Sequence, residues 1–229
     1  RIETVIVSNK AGLVAIKPKL VIDCTGDGDV AAWAGAPFDK AVPLQPMSLH
    51  FRIAYLEPGF ELTRHCARVL QEANARGELG LYAGPYPATF SGRDLYFNAT
   101  RFPGDNTDPA DWTGAEIQGR KDAWKMYELW REHLDAFKDA YFMTSGPTAG
   151  GRESRRIVGD YVLTGDDVRQ GRAQDDAIVL GAWRLDRHPP DQPGYHDIPW
   201  TPPYGIPYRT LLPQGVDNLL VAGRCHSAT

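Results

Sequence analysis

Uninterrupted apolar runs stand near both ends of the chain, and they predict strands of the same kind. Residues 20–22 read Leu-Val-Ile, and residues 218–222 read Asn-Leu-Leu-Val-Ala. Apolar residues at successive positions are typical of a strand covered on both faces, as in a parallel sheet. Each run leads into a turn that contains glycine, at 23–29 and at 223–226. We therefore predict a parallel-type strand followed by a glycine-bearing loop at each end of the chain.

The pattern between these runs is different. Residues 4–8 and 13–16 are short apolar segments around a turn at 9–12, which predicts a β-hairpin. Apolar and polar residues alternate over 47–53 and over 95–99, as in half-exposed antiparallel strands.

Helical spacing of apolar residues follows in two long segments. The first segment contains Leu62, Cys66, Val69, Leu70 and Ala73, and the second contains Ile117, Trp124, Tyr127, Trp130, Leu134 and Phe137. Thr113 with Glu116, and Thr164 with Asp167, have the spacing of capping boxes at helix starts, and Asp108-Pro109 also has the form of a helix cap.

The last third returns to β structure. We predict strands at 176–183 and 208–212, with a loop rich in Pro and Tyr at 188–207. The whole pattern predicts an α/β fold interrupted by an α+β insertion built from an antiparallel sheet and helices.

Composition narrows the classes of function. Lys and Arg number 25 against 29 Asp and Glu, a net charge of −4, so we expect no nucleic-acid partner. No run of 18 apolar residues occurs, which predicts no membrane span. Glycine and proline are abundant, at 23 and 18 residues, which favours loops. Because the chain opens at Arg1 without Met and stops after an apolar strand, we expect a piece from the centre of a longer protein.

Cysteine and histidine offer little sign of a metal site. The three cysteines, Cys24, Cys66 and Cys225, are too few for a disulfide scaffold and suggest a cytoplasmic protein with ordinary thiols. The six histidines, which include His196 and His226, lack the HExxH or HxH spacing of zinc sites, so no metal is expected. Cys225 next to His226 could form a reactive thiol, while a small packed thiol is the alternative.

Three segments carry candidate chemistry. Thr25, Gly26 and Asp27 follow an apolar strand and precede a helix, a position where backbone can approach a phosphate; a capped glycine turn is the alternative. Gly223-Arg224 ends the last apolar strand, where doubly wound sheets place ligands. Residues 151–157 contain the guanidinium groups of Arg152, Arg155 and Arg156, which match carboxylates and phosphates; salt bridges within the fold are the alternative.

Four segments, in this order, resemble a known family. They are VIDCTGDGDVAAWAGAPF at 21–38, QPMSLHFR at 45–52, GRESRRIVGDYVLTGDDV at 151–168 and YGIPYRTLLPQGVDNLLVAGRCHSAT at 204–229, and TDPADWTGAEIQGR at 107–120 adds to them. Together they resemble FAD-dependent oxidoreductases with the glutathione-reductase-type FAD fold, among them the flavoprotein subunit of heterodisulfide reductase. Cys24 stands where many relatives have Ala.

The resemblance implies an enzyme in which FAD carries a hydride or electrons for a small-molecule substrate. It implies that Thr25, Gly26, Asp27, Gly223 and Arg224 bind FAD, and that Arg152, Arg155 and Arg156 act near the flavin or substrate. It also implies a partial Rossmann-like FAD domain with a β-meander, formed by 1–38 and 213–229, around a substrate domain at 39–212. The electron acceptor stays unidentified, and a homo-oligomer stays an open alternative.

One motif of the family is missing from this chain. Family members open with a strand and GxGxxG, which holds the ADP pyrophosphate, and the sequence has no such motif. We therefore expect this chain alone to bind FAD poorly and to be inactive. Two alternatives stay open: a structural homologue without flavin, and a ligand- or carbohydrate-binding module with an aromatic face. The aromatic residues of such a face would be Trp112, Trp124, Trp130, Trp183 and Trp200.

Overall fold

A computed structural model describes residues 1–194 and 199–229. His196 and part of the predicted 188–207 loop lie outside the described residues. The strands are β1 Val5–Asn9, β2 Gly12–Ile16, β3 Val21–Asp23, β4 Phe38–Lys40, β5 Phe51–Ala54, β6 Ala88–Ser91, β7 Asp94–Phe97, β8 Tyr141–Ser145, β9 Arg155–Ile157, β10 Ala177–Gly181, β11 Tyr204–Pro207 and β12 Leu219–Val221. The helices are α1 Asp29–Trp33, α2 Phe60–Ala75, α3 Pro109–His133 and α4 Gly165–Arg169, with 3-10 turns at Asp135–Phe137 and Tyr208–Leu211.

The chain folds into two compact units. The first unit contains Arg1–Val42, Glu153–Arg187 and Ile198–Thr229, and the second contains Pro43–Arg152 and His188–Asp197. Residues 153–187 and 199–212, which the sequence-based limits put inside the 39–212 domain, group with the first unit. For 153–187 the reason is that β9 pairs antiparallel with β4. This pairing joins the arginine-rich segment at 151–157 to the strand that begins at the end of the 21–38 motif.

Over the described ranges 1–194 and 199–229, the first unit contains four two-stranded sheets. β1 and β2 form the predicted hairpin, β10 pairs antiparallel with β11, and β12 pairs parallel with β3. The prediction that strands from the two ends of the chain are parallel is therefore confirmed. Their predicted cover on both faces is wrong, because Ile22 in the centre of β3 is 58% exposed. The structure is mixed α/β with several small sheets.

The second unit has two layers. Its sheet has the order β6-β7-β5-β8, all pairs antiparallel, and one face packs on α2 and α3. The helical spacing predicted over 62–73 is confirmed, since α2 buries Leu62, Cys66, Val69, Leu70 and Ala73 in that core. The burial of these apolar side chains is the main source of stability for the packing of the helix on the sheet.

The long helix α3 begins earlier than its capping-box prediction. Asp108 is its N-cap and accepts a hydrogen bond from the Ala110 N–H at 2.7 Å, with Pro109 in the first turn. The capping box at Thr113 is wrong, because Thr113 lies inside the helix and its hydroxyl donates to the Pro109 carbonyl at 2.8 Å. The capping box of Thr164 with Asp167 is confirmed at the start of α4.

The apolar stripe of α3 is confirmed only in part. Tyr127 and Trp130 are buried, whereas Ile117 and Trp124 are about half exposed. The first half of the helix instead buries the small residues Ala115, Gly119 and Ala123. A Cβ on Gly119 would lie 3.1 Å from Leu49 side-chain atoms, so the helix packs closely here.

One predicted strand is wrong as well. Where a strand was predicted at 208–212, residues Tyr208–Leu211 form a 3-10 turn, because the chain pairs with β10 just before it, as β11. No helix in the described ranges is both long enough and apolar enough to cross a membrane.

Candidate functional site

The parallel pair β3–β12 brings two of the predicted motifs to one edge of the first unit. Asp23 is paired with Val221 at the carboxyl ends of the two strands. The chain then continues into Thr25 and Gly26 on one side and into Gly223 on the other. Carboxyl ends of parallel strands are where open α/β sheets bind ligands. The structure therefore places the predicted cofactor-binding residues of both motifs at the same strand edge.

A buried carboxylate shapes the loop at 24–28, between β3 and α1, which we call the first loop. Asp23 is fully buried and accepts hydrogen bonds from the Thr25 N–H at 3.0 Å, the Thr25 hydroxyl at 2.7 Å and the Ala31 N–H at 2.8 Å. The Thr25 oxygen accepts in turn from the Asp29 N–H at 2.9 Å. Sequence reasoning missed Asp23 as the residue that organises this loop, although an acidic residue between an apolar strand and a glycine turn is a recognisable signal.

The hydrogen bonds of Asp23 weigh against the hypothesis that a phosphate binds at the start of α1. The helix has only five residues, and the Asp23 carboxylate already accepts a hydrogen bond from its Ala31 N–H. The amino end of α1 therefore gives the hypothesis no support. The loop edge and its glycines remain the feature that could accept a cofactor.

Glycines at both strand ends adopt backbone angles that favour glycine. The φ angle is +85° at Gly26, +64° at Gly28 and +91° at Gly223. A Cβ on Gly28 would lie 2.8 Å from Ile157 Cδ1 and 3.3 Å from Cys225 Cβ, so this position is closed by packing. At Gly223 no atom lies within 4 Å of such a Cβ. Gly223 thus combines a glycine backbone with open space, which allows a ligand to approach the main chain.

Asp27 connects the first loop with two other motifs. Its Oδ1 accepts a hydrogen bond from the Ser154 hydroxyl at 2.5 Å and from Arg224 Nη1 at 3.0 Å. Arg224 also lies against the first loop, since a Cβ on Gly26 would be 2.6 Å from its Nη2. The predicted cofactor residues Asp27 and Arg224 therefore form an ion pair with each other.

The three predicted catalytic arginines have different surroundings. Arg155 donates to the Asp29 carboxylate at 2.7 Å and to the Asp27 carbonyl at 2.8 Å. Arg156 forms ion pairs with Glu153 at 3.2 Å and with Asp39 at 3.4 Å. These contacts match the salt-bridge alternative for Arg155 and Arg156.

Arg152 belongs to the second unit. Its Nη2 lies 3.1 Å from the Ser48 hydroxyl and 3.5 Å from Asn98 Oδ1. Desolvation lowers the pKa of His50, the positive charge of Arg152 lowers it further, and a hydrogen bond with Asn98 acts in the opposite direction. Arg152 therefore lies beside His50. Sequence reasoning identified Arg152 as a site residue but did not identify His50.

The cysteine that follows β12 is a packed thiol. Cys225 is buried, and burial is the main reason that its pKa is raised to about 11. The neutral thiol therefore predominates at neutral pH, which disfavours a reactive thiolate. His226 Nδ1 lies 3.0 Å from the Gly223 carbonyl oxygen. This contact helps to fix the segment 223–226 after β12, which we call the second loop.

The tryptophans that were proposed for an aromatic binding face differ in exposure. Trp130 is fully buried and donates to the Cys66 carbonyl at 3.1 Å, so it cannot line an aromatic binding face. Trp183 and Trp200 form an exposed edge-to-face pair at 5.9 Å. Within residues 1–194 and 199–229, no group of three or more His, Cys, Asp or Glu is arranged to hold a metal ion.

The residues at the β3–β12 edge fit an extended cofactor such as FAD. Gly223 leaves its backbone open, Thr25 is exposed beside it in the other loop, and the Arg224–Asp27 ion pair lies at the same edge. A family model described as FAD dependent oxidoreductase matches residues 1–229. No curated protein and no solved structure was similar enough to count as a match. The chain belongs to the FAD dependent oxidoreductase family.

Proposed function

We propose that the protein is a flavin oxidoreductase whose first unit contributes to an FAD site at the β3–β12 edge. The observation that carries this proposal is the positive-φ glycine at the carboxyl end of each strand, with open space at Gly223. Thr25, Gly26 and Asp27 would hold the cofactor from one loop, and Gly223 and Arg224 from the other. A partial Rossmann-like domain would provide this edge, and heterodisulfide reductase flavoproteins would be relatives.

When bound, FAD supplies the hydride or electron transfer on a small-molecule substrate. The chain's own residues position the loops. Arg155 holds the first loop through Asp29 and the Asp27 carbonyl, which favours a positioning role for this residue. Arg156 and Arg152 remain proposed sources of positive charge near flavin or substrate.

Two further features of the proposal concern the setting of the enzyme. The three cysteines are free thiols, which supports a reducing compartment such as the cytoplasm. We also propose that the protein passes electrons to an acceptor and forms a homo-oligomer.

The proposal is tested on the complete gene product in which this chain occurs. The purified protein, reconstituted with FAD if necessary, is expected to show flavin absorbance and about one FAD per chain after release and chromatography. Anaerobic addition of a substrate should bleach the flavin bands. A protein that retains neither FAD nor FMN after reconstitution contradicts the proposal.

A further inference from the structure

The outer face of the sheet in the second unit carries an unusual set of side chains. Its inner face is covered by α2 and α3, and the outer face of such a sheet is expected to carry mainly polar residues. Here Phe90 is 61% exposed and Tyr96 is 37% exposed, and His50 is exposed as well. The outer face therefore carries three exposed aromatic rings.

The strand register explains how these side chains meet. Arg52 of β5 is directly opposite Tyr96 of β7 on one side and Thr144 of β8 on the other. Side chains directly opposite on neighbouring strands stand close together on one face. With Phe90 and His50 they line a cavity of about 670 Å³. That volume suits a small organic molecule.

The flat groups in the cavity have fixed orientations. The rings of His50 and Tyr96 are nearly parallel, with centroids 6.0 Å apart and an interplanar angle of 14°. The Arg52 guanidinium lies 3.8 Å from the centroid of the Phe90 ring. Flat faces of this kind offer stacking area to a planar ligand, which a saturated ring cannot use equally well.

The hydrogen-bonding groups around the cavity favour one kind of planar ligand. Arg52 donates from Nε and Nη2 to the two oxygens of Asp94, so its charge is balanced and its Nη1 donors lie outside that pair. Desolvation, and then the nearby charge of Arg152, lower the pKa of His50, which favours the neutral form of its ring. The Nη1 donors of Arg52 therefore favour a ligand substituent that accepts hydrogen bonds, and a carboxylate accepts them more strongly than a neutral group does.

We propose that this cavity binds a planar aromatic carboxylate, with its ring against Phe90 and Tyr96 and its carboxylate towards the Arg52 side. The site lies within the second unit, and its binding does not require FAD. In the proposed oxidoreductase this ligand class would be the small-molecule substrate, and that part alone rests on the proposed function.

The test is a calorimetric titration of the protein with 2-naphthoate in the absence of added FAD. Saturable binding of one 2-naphthoate per chain is expected. Cyclohexanecarboxylate, which has the charge but no aromatic face, and 2-naphthylmethylammonium, which has the ring but the opposite charge, are both expected to bind at least about fivefold more weakly. Absence of saturable 2-naphthoate binding, or equal binding of the ammonium compound, overturns the proposal.

A matched pair of variants locates the site. Phe90→Ala is expected to weaken 2-naphthoate binding by about three- to tenfold, in line with the loss of an aromatic contact. Phe38→Ala is the control, because Phe38 is also half exposed and also lies under a guanidinium, with Arg155 at 5.7 Å from its ring, but belongs to the first unit. Equal binding by the two variants overturns the proposal.

Failure of this inference and failure of the proposed function are distinguishable. Binding of 2-naphthoate by a protein that retains no flavin contradicts the flavin proposal and leaves the cavity site intact. Tight FAD binding without saturable 2-naphthoate binding contradicts the cavity site and leaves the flavin proposal intact.

Discussion

Gly28 is the position where three of the family motifs pack together, and its replacement by Ala should destabilise the first unit. Gly28 lies in the first loop, Ile157 in the arginine-rich segment and Cys225 after the last strand. A methyl group at this position meets two difficulties. The φ angle of +64° is unfavourable for Ala, by about 1–2 kcal/mol. The Cβ also collides with Ile157 Cδ1, 2.8 Å away, and Ile157 is only 1% exposed.

The size of the effect follows from these two contributions. Overpacking a closed site typically costs about 1–3 kcal/mol, so Gly28→Ala should lower the free energy of unfolding by roughly 2–5 kcal/mol. Gly35→Ala is the control, because φ at Gly35 is +83° and no atom lies within 4 Å of its Cβ position. This variant should lose only the backbone contribution, about 1–2 kcal/mol. The gain from a stiffer unfolded chain is the same for both and cancels in the comparison.

Urea denaturation, followed by circular dichroism, measures both variants against the parent protein. A third variant, Ile157→Val, removes the Cδ1 atom that the new methyl group would strike. We expect Gly28→Ala to be less harmful in the Ile157→Val background than alone, with a coupling of about 1 kcal/mol in a double-mutant cycle. Equal destabilisation by Gly28→Ala and Gly35→Ala, together with no coupling to position 157, would refute the packing argument.

Three other predictions concern the first unit. Iodoacetamide should modify exposed Cys24 much faster than buried Cys225, whose pKa is raised to about 11 chiefly by burial, as peptide mass spectrometry can show. Burial acts to raise the pKa of Asp167, but hydrogen bonds, mainly from Thr164, outweigh it and hold the pKa below its ordinary value. Its stabilising contribution should therefore be present above about pH 4 and be lost as pH falls through the lowered pKa, so Asp167→Asn and the parent should converge in urea denaturation at acid pH. Arg155→Met should lower the free energy of unfolding by about 1–3 kcal/mol, because its side chain is only 15% exposed and makes two charge-assisted hydrogen bonds.

Each of these predictions has a control. Equal rates of alkylation at all cysteines in native protein would contradict the first, and all should react at similar rates in denaturant. A destabilisation by Asp167→Asn that is constant from neutral to acid pH would contradict the second. For the third, Arg169→Met removes a highly exposed ion pair with Asp166 and should change stability by less than about 1 kcal/mol. A loss as large as that of Arg155→Met would contradict it.

The sequence predicted local features well when their cause was local. The Thr164–Asp167 capping box and the β1–β2 hairpin depend on residues that are neighbours in the chain, and both are confirmed. The same reasoning failed at Thr113, since its spacing to Glu116 also occurs inside a helix. Glu116 instead accepts hydrogen bonds from the Thr148 hydroxyl at 2.6 Å and the Ala149 N–H at 2.5 Å, more than 30 residues away.

The partners within the candidate site could not be predicted for a related reason. Arg155 meets Asp29 across 126 positions, and Asp27 meets Arg224 across 197 positions. Spacing contains no information about such pairs; only the parallel pairing of β3 with β12 and the antiparallel pairing of β4 with β9 bring them together. The resemblance to a family located the motifs, and the fold decided which side chains face one another.

The central claim is that the β3–β12 edge contributes to an FAD site, and a pair of glycine variants tests it most directly. Gly223 and Gly215 stand beyond the two ends of β12, have φ angles of +91° and +80°, and have open space at the Cβ position. In the complete gene product, Gly223→Ala should weaken FAD binding by about tenfold or more, equivalent to about 1.4 kcal/mol, because the new methyl group occupies the space that the cofactor needs. Gly215→Ala should bind FAD like the parent protein. FAD affinity that is unchanged by Gly223→Ala would contradict the account.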